Sequence, residues 1–473
     1  MKRDKTISAE NISILSAHNF ALSPLDGRYA SIGKKLSPYF SEYALMHNRV
    51  KVEVFWLKFL LETLNNSSKI LDSFDKNRIT EIVSIYTDFS DESYTRIKEF
   101  EAETNHDVKS VELFVAEKLR NMGMDELVSF VHIGCTSEDI NNPSYANMIS
   151  SSLANVWIPA AEKLIDKIKE FAIKHADVPM LGHTHGQPAT PTTVGKEMAV
   201  YVYRLKKSLE NIRSIKTCAK FNGATGTYAA ISIAFPDEDW AQLSKEFIED
   251  YLGLKFTPIS TQIESHDYVS HILDGIRHFD NVLRDFDVDI WLYISLDYLK
   301  QVPVKNEVGS STMPHKVNPI RFENSEGNTL IANALFGVLS DSLPNSRMQR
   351  DLSDSSMQRN IGMAIGYSLQ CIEQSTSGLS KIDVNKEKLS SELNNNWEVL
   401  AEPIQTMLRK YGIPDAYDRL KEMTRGKKIS QKDIQEFISS LDEISEKDKK
   451  ALLELTPSKY IGLAADIVKN QLK

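Results

Sequence analysis

The segment GHTHGQPATPTTVGKE (residues 182–197) places two histidines, His183 and His185, among glycines and prolines. The breakers predict an exposed loop between helices. A histidine in such a loop titrates near neutral pH and can act as a general acid or base. A histidine that only bonds a backbone carbonyl remains an alternative. Two histidines two positions apart also occur in metal sites, but no further ligands follow at suitable spacing, so we expect no metal.

A second segment, GSSTMPHKVNP (residues 309–319), contains adjacent hydroxyls at Ser310 and Ser311, followed by Lys316 and Asn318. Its prolines and glycine prevent a continuous helix between the helical patterns on either side. A plain surface loop would hold the same residues. Irregular inserts between core helices are often functional, however, so we consider the segment a candidate site.

Two further segments, ETNHDVKS (103–110) and CTSED (135–139), contain residue types that begin helices. Asn105, His106 and Asp107 in the first, and Thr136 and Ser137 in the second, are explained by helix capping alone. A helix N-terminus also offers free N–H groups, which makes each segment a natural place for an anion.

Arginines occur in two more polar segments. SPLDGRYA (23–30) carries Arg28 and Tyr29 after an Asp-Gly turn signal. NSRMQRDLSDSSMQRN (345–360) carries Arg350 and Arg359 with Ser355 nearby. A loop and a solvated helix face are the simplest interpretations. Placed beside a phosphate, the two arginines would give forked, charge-assisted hydrogen bonds.

The elements that must position these side chains are helical. Apolar residues repeat every three or four positions in 42–64 and 194–216, and without a proline from Asp267 to Leu299. A pattern this long is typical of a helix bundle. Further helical patterns cover about 156–176, 325–342 and 356–371, and Ser430 and Asp433 predict a helix cap. Strand signals are scarce, although residues 223–236 are compatible with a short hairpin or an irregular excursion.

The composition excludes several functional classes. The 473 residues carry a net charge of −9, which argues against a nucleic-acid binder that relies on bulk positive charge. Three separated cysteines predict neither a disulfide framework nor a zinc site. No apolar run is long enough for a membrane span or a signal peptide, so we expect a cytoplasmic protein. The length and two shifts of composition predict three domains, at 1–125, 126–379 and 380–473.

SSTMPHKVNP resembles the signature of the fumarase/aspartase superfamily. The remaining polar segments, SPLDGRY, TNHDVKSVE, CTSEDINN, THGQPATP, TQIESHDY and QRDLSDS, resemble bacterial adenylosuccinate lyases within it. The resemblance extends over about 25–460 and departs from the family at His183, where arginine is common. It implies an all-α protein of three helical domains, whose central long helices form a homotetrameric bundle with active sites shared by three subunits.

The resemblance also implies a reaction and roles. The reaction is the elimination of fumarate from adenylosuccinate and from succinylaminoimidazole carboxamide ribotide (SAICAR), without a cofactor. Ser310 would be the base and His185 the general acid, with Lys316 and Asn318 stabilising the charge that develops. The implied substrate-binding residues are Arg28, Tyr29, Asn105, His106, Asp107, Thr136, Ser137, Gln262, Ser311, Lys316, Asn318, Asn324, Arg350, Ser355 and Arg359.

Two alternatives remain open from the sequence. The first is another lyase of the superfamily, such as one that acts on argininosuccinate, from which phosphate recognition would distinguish this chain. The second is a non-catalytic helical scaffold, which would be expected to lack Ser310 or His185, yet both are present.

Overall fold

The computed structural model describes residues 21–64, 66–302, 313, 316–424 and 429–472. Helices dominate these ranges, and the few strands are short. The all-α fold class expected from the sequence is therefore confirmed. Within the same ranges, no helix is both long and apolar enough to cross a lipid bilayer.

The chain divides into two compact units, of which the first comprises Met1–Ala160, Ser208–Asp280 and Asn328–Cys371. Buried aromatic rings form part of its core: the ring centroid of Trp56 lies 4.5 Å from that of Phe221 and 5.1 Å from that of Phe247. Its α-helices are Ala30–Phe40, Glu42–Thr63, Lys69–Ser73, Ile79–Thr87, Asp91–Thr104, Asp107–Asn121, Ser137–Ser152, Ala229–Ala234, Trp240–Glu246 and Ser353–Gln358. It also has 3₁₀ helices at Lys76–Arg78 and Asp125–Phe130, π-helical turns at Leu153–Trp157 and Phe247–Tyr251, and paired parallel strands Cys218–Ala219 and Lys255–Phe256.

The second unit comprises Ala161–Lys207, Asn281–Gly327 and Ile372–Lys473. The C-terminal helices bury an apolar cluster that includes Trp397, Ile404, Leu408 and Ile434. Its α-helices are Lys386–Asn394, Ala401–Lys410, Ala416–Thr424, Gln431–Ser439, Glu446–Leu453 and Ala464–Gln471, with a 3₁₀ helix at Trp397–Leu400. Its antiparallel strand pairs are Pro179–Thr184 with Gln187–Thr193, and Leu299–Gln301 with Ile382–Val384.

The longest helices match the predicted patterns. In the described part of the chain, five helices contribute residues to both units: Ile158–Lys174, Val194–Ser214, Asp267–Ser295, Ile320–Ser342 and Ile361–Leu379. Asp267–Ser295 is 29 residues long, and its apolar face is buried because the 3.6-residue period keeps that face on one side. The capping box predicted at Ser430 and Asp433 is present. The division into three domains stays a prediction.

One local prediction is wrong and another is settled. Residues 182–193 are not an irregular loop but belong to the antiparallel hairpin of Pro179–Thr184 and Gln187–Thr193. Residues 223–236 form no hairpin; a turn leads into the short helix Ala229–Ala234. Strand pairing at 179–193 depends on backbone hydrogen bonds and on the turn, which the alternation of apolar residues does not reveal.

A buried carboxyl group lies inside the first unit, on the helix Asp267–Ser295. Asp280 is 0% exposed, and its Oδ1 accepts a hydrogen bond of 2.8 Å from the Ser368 hydroxyl. The Trp157 indole donates in turn to the Ser368 oxygen over 2.9 Å. Burial raises the pKa of Asp280 to about 8, although the hydrogen bond from Ser368 opposes the rise. The folded protein therefore keeps this carboxyl protonated at neutral pH.

This burial predicts a specific dependence of stability on pH. In the unfolded chain Asp280 ionises near pH 4, whereas in the folded chain it holds its proton until about pH 8, so folding stability falls between these values. Asp280→Asn removes that titration. The quantity to compare is the unfolding midpoint of the variant minus that of the wild type. We expect this difference to be larger at about pH 8 than at about pH 5, by on the order of 5 °C.

Thermal unfolding followed by circular dichroism at both pH values measures the difference. Asp88→Asn, at an exposed carboxylate of the same unit, serves as the control and should show no such trend. If the midpoint of Asp280→Asn differs from that of the wild type by the same amount at both pH values, the conclusion that Asp280 is protonated in the folded protein is wrong.

Candidate active site

His185 lies at the tip of the hairpin formed by Pro179–Thr184 and Gln187–Thr193. Thr184 pairs with Gln187, so His185 and Gly186 make up the whole turn. Both have positive φ, 53° and 71°, as a two-residue type I′ turn requires. The imidazole is exposed at this tip. A short, regular turn therefore presents the predicted acid to solvent on a defined backbone.

The base of the hairpin is held by close backbone packing. A Cβ on Gly195 would lie 2.3 Å from the carbonyl oxygen of Ala172, so only glycine lets the chain leave the hairpin at this point. Thr190 donates a 2.5 Å hydrogen bond to Glu402. His183, the residue that departs from the family pattern, faces Glu392 with 3.9 Å between Nε2 and Oε1. The hairpin is thus tied down on both of its strands.

Thr136 and Ser137 begin the helix Ser137–Ser152. Thr136 is the N-cap of a capping box with Asp139, whose Oδ2 accepts from the Thr136 N–H over 2.8 Å. The Asp139 carboxylate and the Lys220 ammonium form an ion pair of 2.8 Å in which both side chains are fully buried. Asn222 N–H donates to Asp139 as well. This helix start is a rigid, N–H-rich place for a carboxylate.

Asn105 and His106 separate two helices, and Asp107 begins the second. Asn105 ends the first helix with a φ of 52°, and His106 caps the second, its Nδ1 accepting from the Lys109 N–H over 3.1 Å. Burial alone would raise the pKa of Asp107, but the charge of Arg49 and a hydrogen bond from it outweigh that effect and hold this pKa below its usual value. Asp107 is therefore a carboxylate at neutral pH.

A pocket of about 360 Å³ joins two of the predicted segments, because His106 and Ser137 both line it. His132 also lines this pocket and was not among the predicted residues. Its Nδ1 lies 2.6 Å from the carboxylate of the buried Glu53. Burial lowers the pKa of His132, but the charge of Glu53 and the hydrogen bond to it raise the pKa above its usual value overall.

The sequence contains a weak signal for His132, since it lies three residues before CTSED and two before a glycine. Its φ of 62° and its distant partner Glu53 are visible only in the fold.

Arg350, Ser355 and Gln262 come together in the first unit. One terminal nitrogen of Arg350, Nη2, donates to the Ser355 hydroxyl over 2.8 Å, and the other, Nη1, lies 3.5 Å from Gln262 Oε1. Nη2 also lies 2.9 Å from the carboxylate of Glu138, which is 1% exposed. Arg359 lies against Asp107, with 3.1 Å between Nη2 and Oδ2. The four polar segments that carry these residues therefore meet in one unit.

The remaining predicted residues that the structure describes do not belong to the cluster around Arg350. Arg28 is exposed, and Tyr29 precedes the helix Ala30–Phe40, with its hydroxyl 3.3 Å from the Asn328 amide. Lys316 is exposed, whereas Asn318 and Asn324 are half-buried. Ser310 and Ser311 lie outside the described residues. Across the described ranges, no group of three histidine, cysteine, aspartate or glutamate side chains is arranged to hold a metal ion.

Solved structures of similar fold include enzymes with low sequence identity to this chain. A fumarate lyase from Mesorhizobium superposes with a TM-score of 0.74 at 18% identity, covering 93% of this chain and 97% of its own. The 3-carboxy-cis,cis-muconate lactonizing enzyme from Pseudomonas putida gives a TM-score of 0.70 at 17% identity, covering 94% and 96%. At these identities the comparison establishes the fold alone.

Sequence comparison is more specific. Residues 27–337 match a family model described as lyase, and residues 346–461 match one described as adenylosuccinate lyase C-terminal. The chain is 47% identical to the adenylosuccinate lyase of Haemophilus influenzae over 449 residues, which is 95% of this chain and 98% of the relative. It is 46% identical to that of Escherichia coli K12 over the same shares. The chain therefore belongs to the adenylosuccinate lyase family.

Proposed function

We propose that this chain eliminates fumarate from adenylosuccinate, giving AMP, and from SAICAR, giving the aminoimidazole carboxamide ribotide, in purine nucleotide biosynthesis. The observation that carries the proposal is the identity of 46–47% with adenylosuccinate lyases along almost the whole of both chains. We also propose that the protein acts in the cytoplasm. The grouping of Arg350, Ser355 and Gln262 supports a nucleotide substrate rather than argininosuccinate, because these donors suit a phosphate.

The elimination makes two chemical demands. A proton must leave the carbon beside a carboxylate, where it is very weakly acidic, and the departing nitrogen must gain a proton. An acid and a base on opposite faces of the bond meet both demands in an anti elimination. In this proposal Ser310 takes the carbon proton and His185 protonates the nitrogen. The exposed hairpin tip suits a residue that acts on a substrate held largely by other segments.

Stabilisation of the developing charge is assigned to the segment around Ser310. Lys316 supplies a positive charge that favours the serine anion, and Asn318 donates to the carboxylate whose charge grows as the proton leaves. Thr136 and Ser137 hold the succinyl group, since they begin a helix and a helix N-terminus favours a carboxylate. Ser311 and Asn324 contribute further polar contacts to the substrate.

The phosphate end is assigned to the arginine-rich segments. Arg350 and Ser355, already bonded to each other, would share the phosphate with Arg28, Tyr29 and Arg359. Asn105, His106, Asp107 and Gln262 would contact the rest of the nucleotide. Because the chain contributes these groups from scattered segments, we further propose a homotetramer in which each active site takes residues from three subunits.

The acid and base assignments can be tested by activity. His185→Ala and Ser310→Ala should each lower kcat/KM for adenylosuccinate by at least about 100-fold, because each removes one proton-transfer group. Ser311→Ala is the matched control and should be the milder change. Fumarate formation is followed by its ultraviolet absorbance. Near-normal turnover in Ser310→Ala would contradict the base assignment alone, whereas a wild-type protein that releases no fumarate would overturn the function.

The shared active site makes a separate prediction. If His185 and Ser310 of one site come from different subunits, co-expression of His185→Ala and Ser310→Ala chains should form hybrid tetramers in which roughly one quarter of the sites contain both native residues. The purified mixture should therefore regain up to about that fraction of wild-type activity. Activity no higher than that of the two variants assayed separately would show that one chain supplies both residues.

A further inference from the structure

A buried polar connection begins at Arg350. Its Nη2 lies 2.9 Å from Oε1 of Glu138, and the same oxygen accepts a 2.8 Å hydrogen bond from the Asn141 amide. Glu138 and Asn141 are one turn apart on the helix Ser137–Ser152 and are 1% and 7% exposed. Arg350, the arginine assigned to the phosphate, is therefore bonded to a carboxylate that is buried from solvent.

The connection continues to the second arginine. Arg49 Nε donates to Asn141 Oδ1 over 2.8 Å, and Arg49 Nη2 bonds Asp107 Oδ2, also over 2.8 Å. The same Asp107 oxygen accepts from Arg359 Nη2 over 3.1 Å. Arg49 is only 2% exposed although it is charged. Glu138, Asn141, Arg49 and Asp107 thus form one continuous relay between Arg350 and Arg359.

Two physical consequences follow from this relay. A buried charge that loses its partner is strongly destabilising, so each member of the relay restricts the position of its neighbour. The relay also leaves one donor of Arg350 over, because its buried Nε makes no hydrogen bond to any described residue. A guanidinium held on one side, with a dry donor left over, is preorganised for an anion.

We propose that Arg49, Glu138 and Asn141 are positioning residues that fix Arg350 and Arg359 for the phosphate of the nucleotide. None of the three is assigned to touch the substrate; they act through the two arginines. The inference rests on the proposed function, because it takes the nucleotide phosphate as the group that these arginines bind.

In the reverse reaction, AMP adds to fumarate, so the KM of each substrate can be measured separately. The KM for AMP then reports on the phosphate end of the site and the KM for fumarate on the other end. Glu138→Gln keeps the size of the side chain but removes the nearer of two carboxylate charges on Arg350, because Glu138 lies 2.9 Å and Asp354 3.6 Å from Nη2. We expect the KM for AMP to rise at least about 10-fold, while kcat and the KM for fumarate stay within about 3-fold of wild type. A merely structural defect would change all three constants together, and a KM for AMP within about 3-fold of wild type would overturn the role of Glu138.

A second variant tests the other half of the relay. Arg49→Lys keeps the charge but replaces the two separate nitrogens that bond Asn141 and Asp107 with a single one, so the KM for AMP should again rise without a matching change for fumarate. This variant decides the proposal if Glu138→Gln does not fold. Asp280→Asn is the control, since it replaces a buried carboxyl group of the same unit that the relay does not include, and its KM for AMP should be unchanged.

Arg350→Gln distinguishes failure of the inference from failure of the proposed function. If it leaves the KM for AMP unchanged, the assignment of the phosphate to Arg350 is wrong, and the inference fails with it. If it raises that KM while Glu138→Gln and Arg49→Lys do not, the function stands and the relay has no positioning role. When Glu138 acts through Arg350, the double variant Glu138→Gln/Arg350→Gln should be no worse than Arg350→Gln alone.

Discussion

The buried ion pair of Asp139 and Lys220 is the constraint on which the first unit's polar segments depend. Both side chains are fully inaccessible, and their charged atoms are 2.8 Å apart. The carboxylate also accepts from the backbone N–H groups of Thr136, Asn222 and Gly223. Loss of one partner from such a pair costs on the order of 3–5 kcal/mol, because the remaining charge stays buried. One carboxylate thereby ties a helix start to a distant loop.

The rest of this unit is arranged around that fixed helix start. Glu138 and Asn141 lie on either side of Asp139 in the same turn of the helix, and they bond Arg350 and Arg49, respectively. The loop that contains Asn222 and Gly223 also includes Ala224, whose carbonyl accepts a hydrogen bond from the Gln262 amide. This bond holds Gln262 near Arg350. A single helical turn therefore sends Glu138 and Asn141 into the network of Arg350 and Arg49, and Asp139 into the ion pair with Lys220. This arrangement explains how groups separated by hundreds of residues come together in one polar cluster.

The sequence predicted the long helices because their apolar residues repeat every three or four positions over many turns. It did not predict the hairpin that carries His185, since that turn is defined by two positive φ angles and not by apolar alternation. Arg49 was not singled out, because on the pattern of Glu42–Thr63 a lone arginine resembles an exposed residue. Its partners Asn141 and Asp107 are 92 and 58 residues away, and only the fold brings them together. The roles of Ser310 and His185 came from resemblance to the superfamily, since neither local pattern distinguishes a catalytic residue from an ordinary loop residue.

We propose that segments from different subunits meet on one nucleotide. A crystal structure of the assembled protein with AMP and fumarate is the decisive test. We expect the AMP phosphate within hydrogen-bonding distance, about 3 Å, of Arg350 and Ser355, and His185 of another subunit facing the amino nitrogen of the purine. A phosphate bound away from Arg350, or a His185 that faces no purine nitrogen, would show that the site is not assembled in this way.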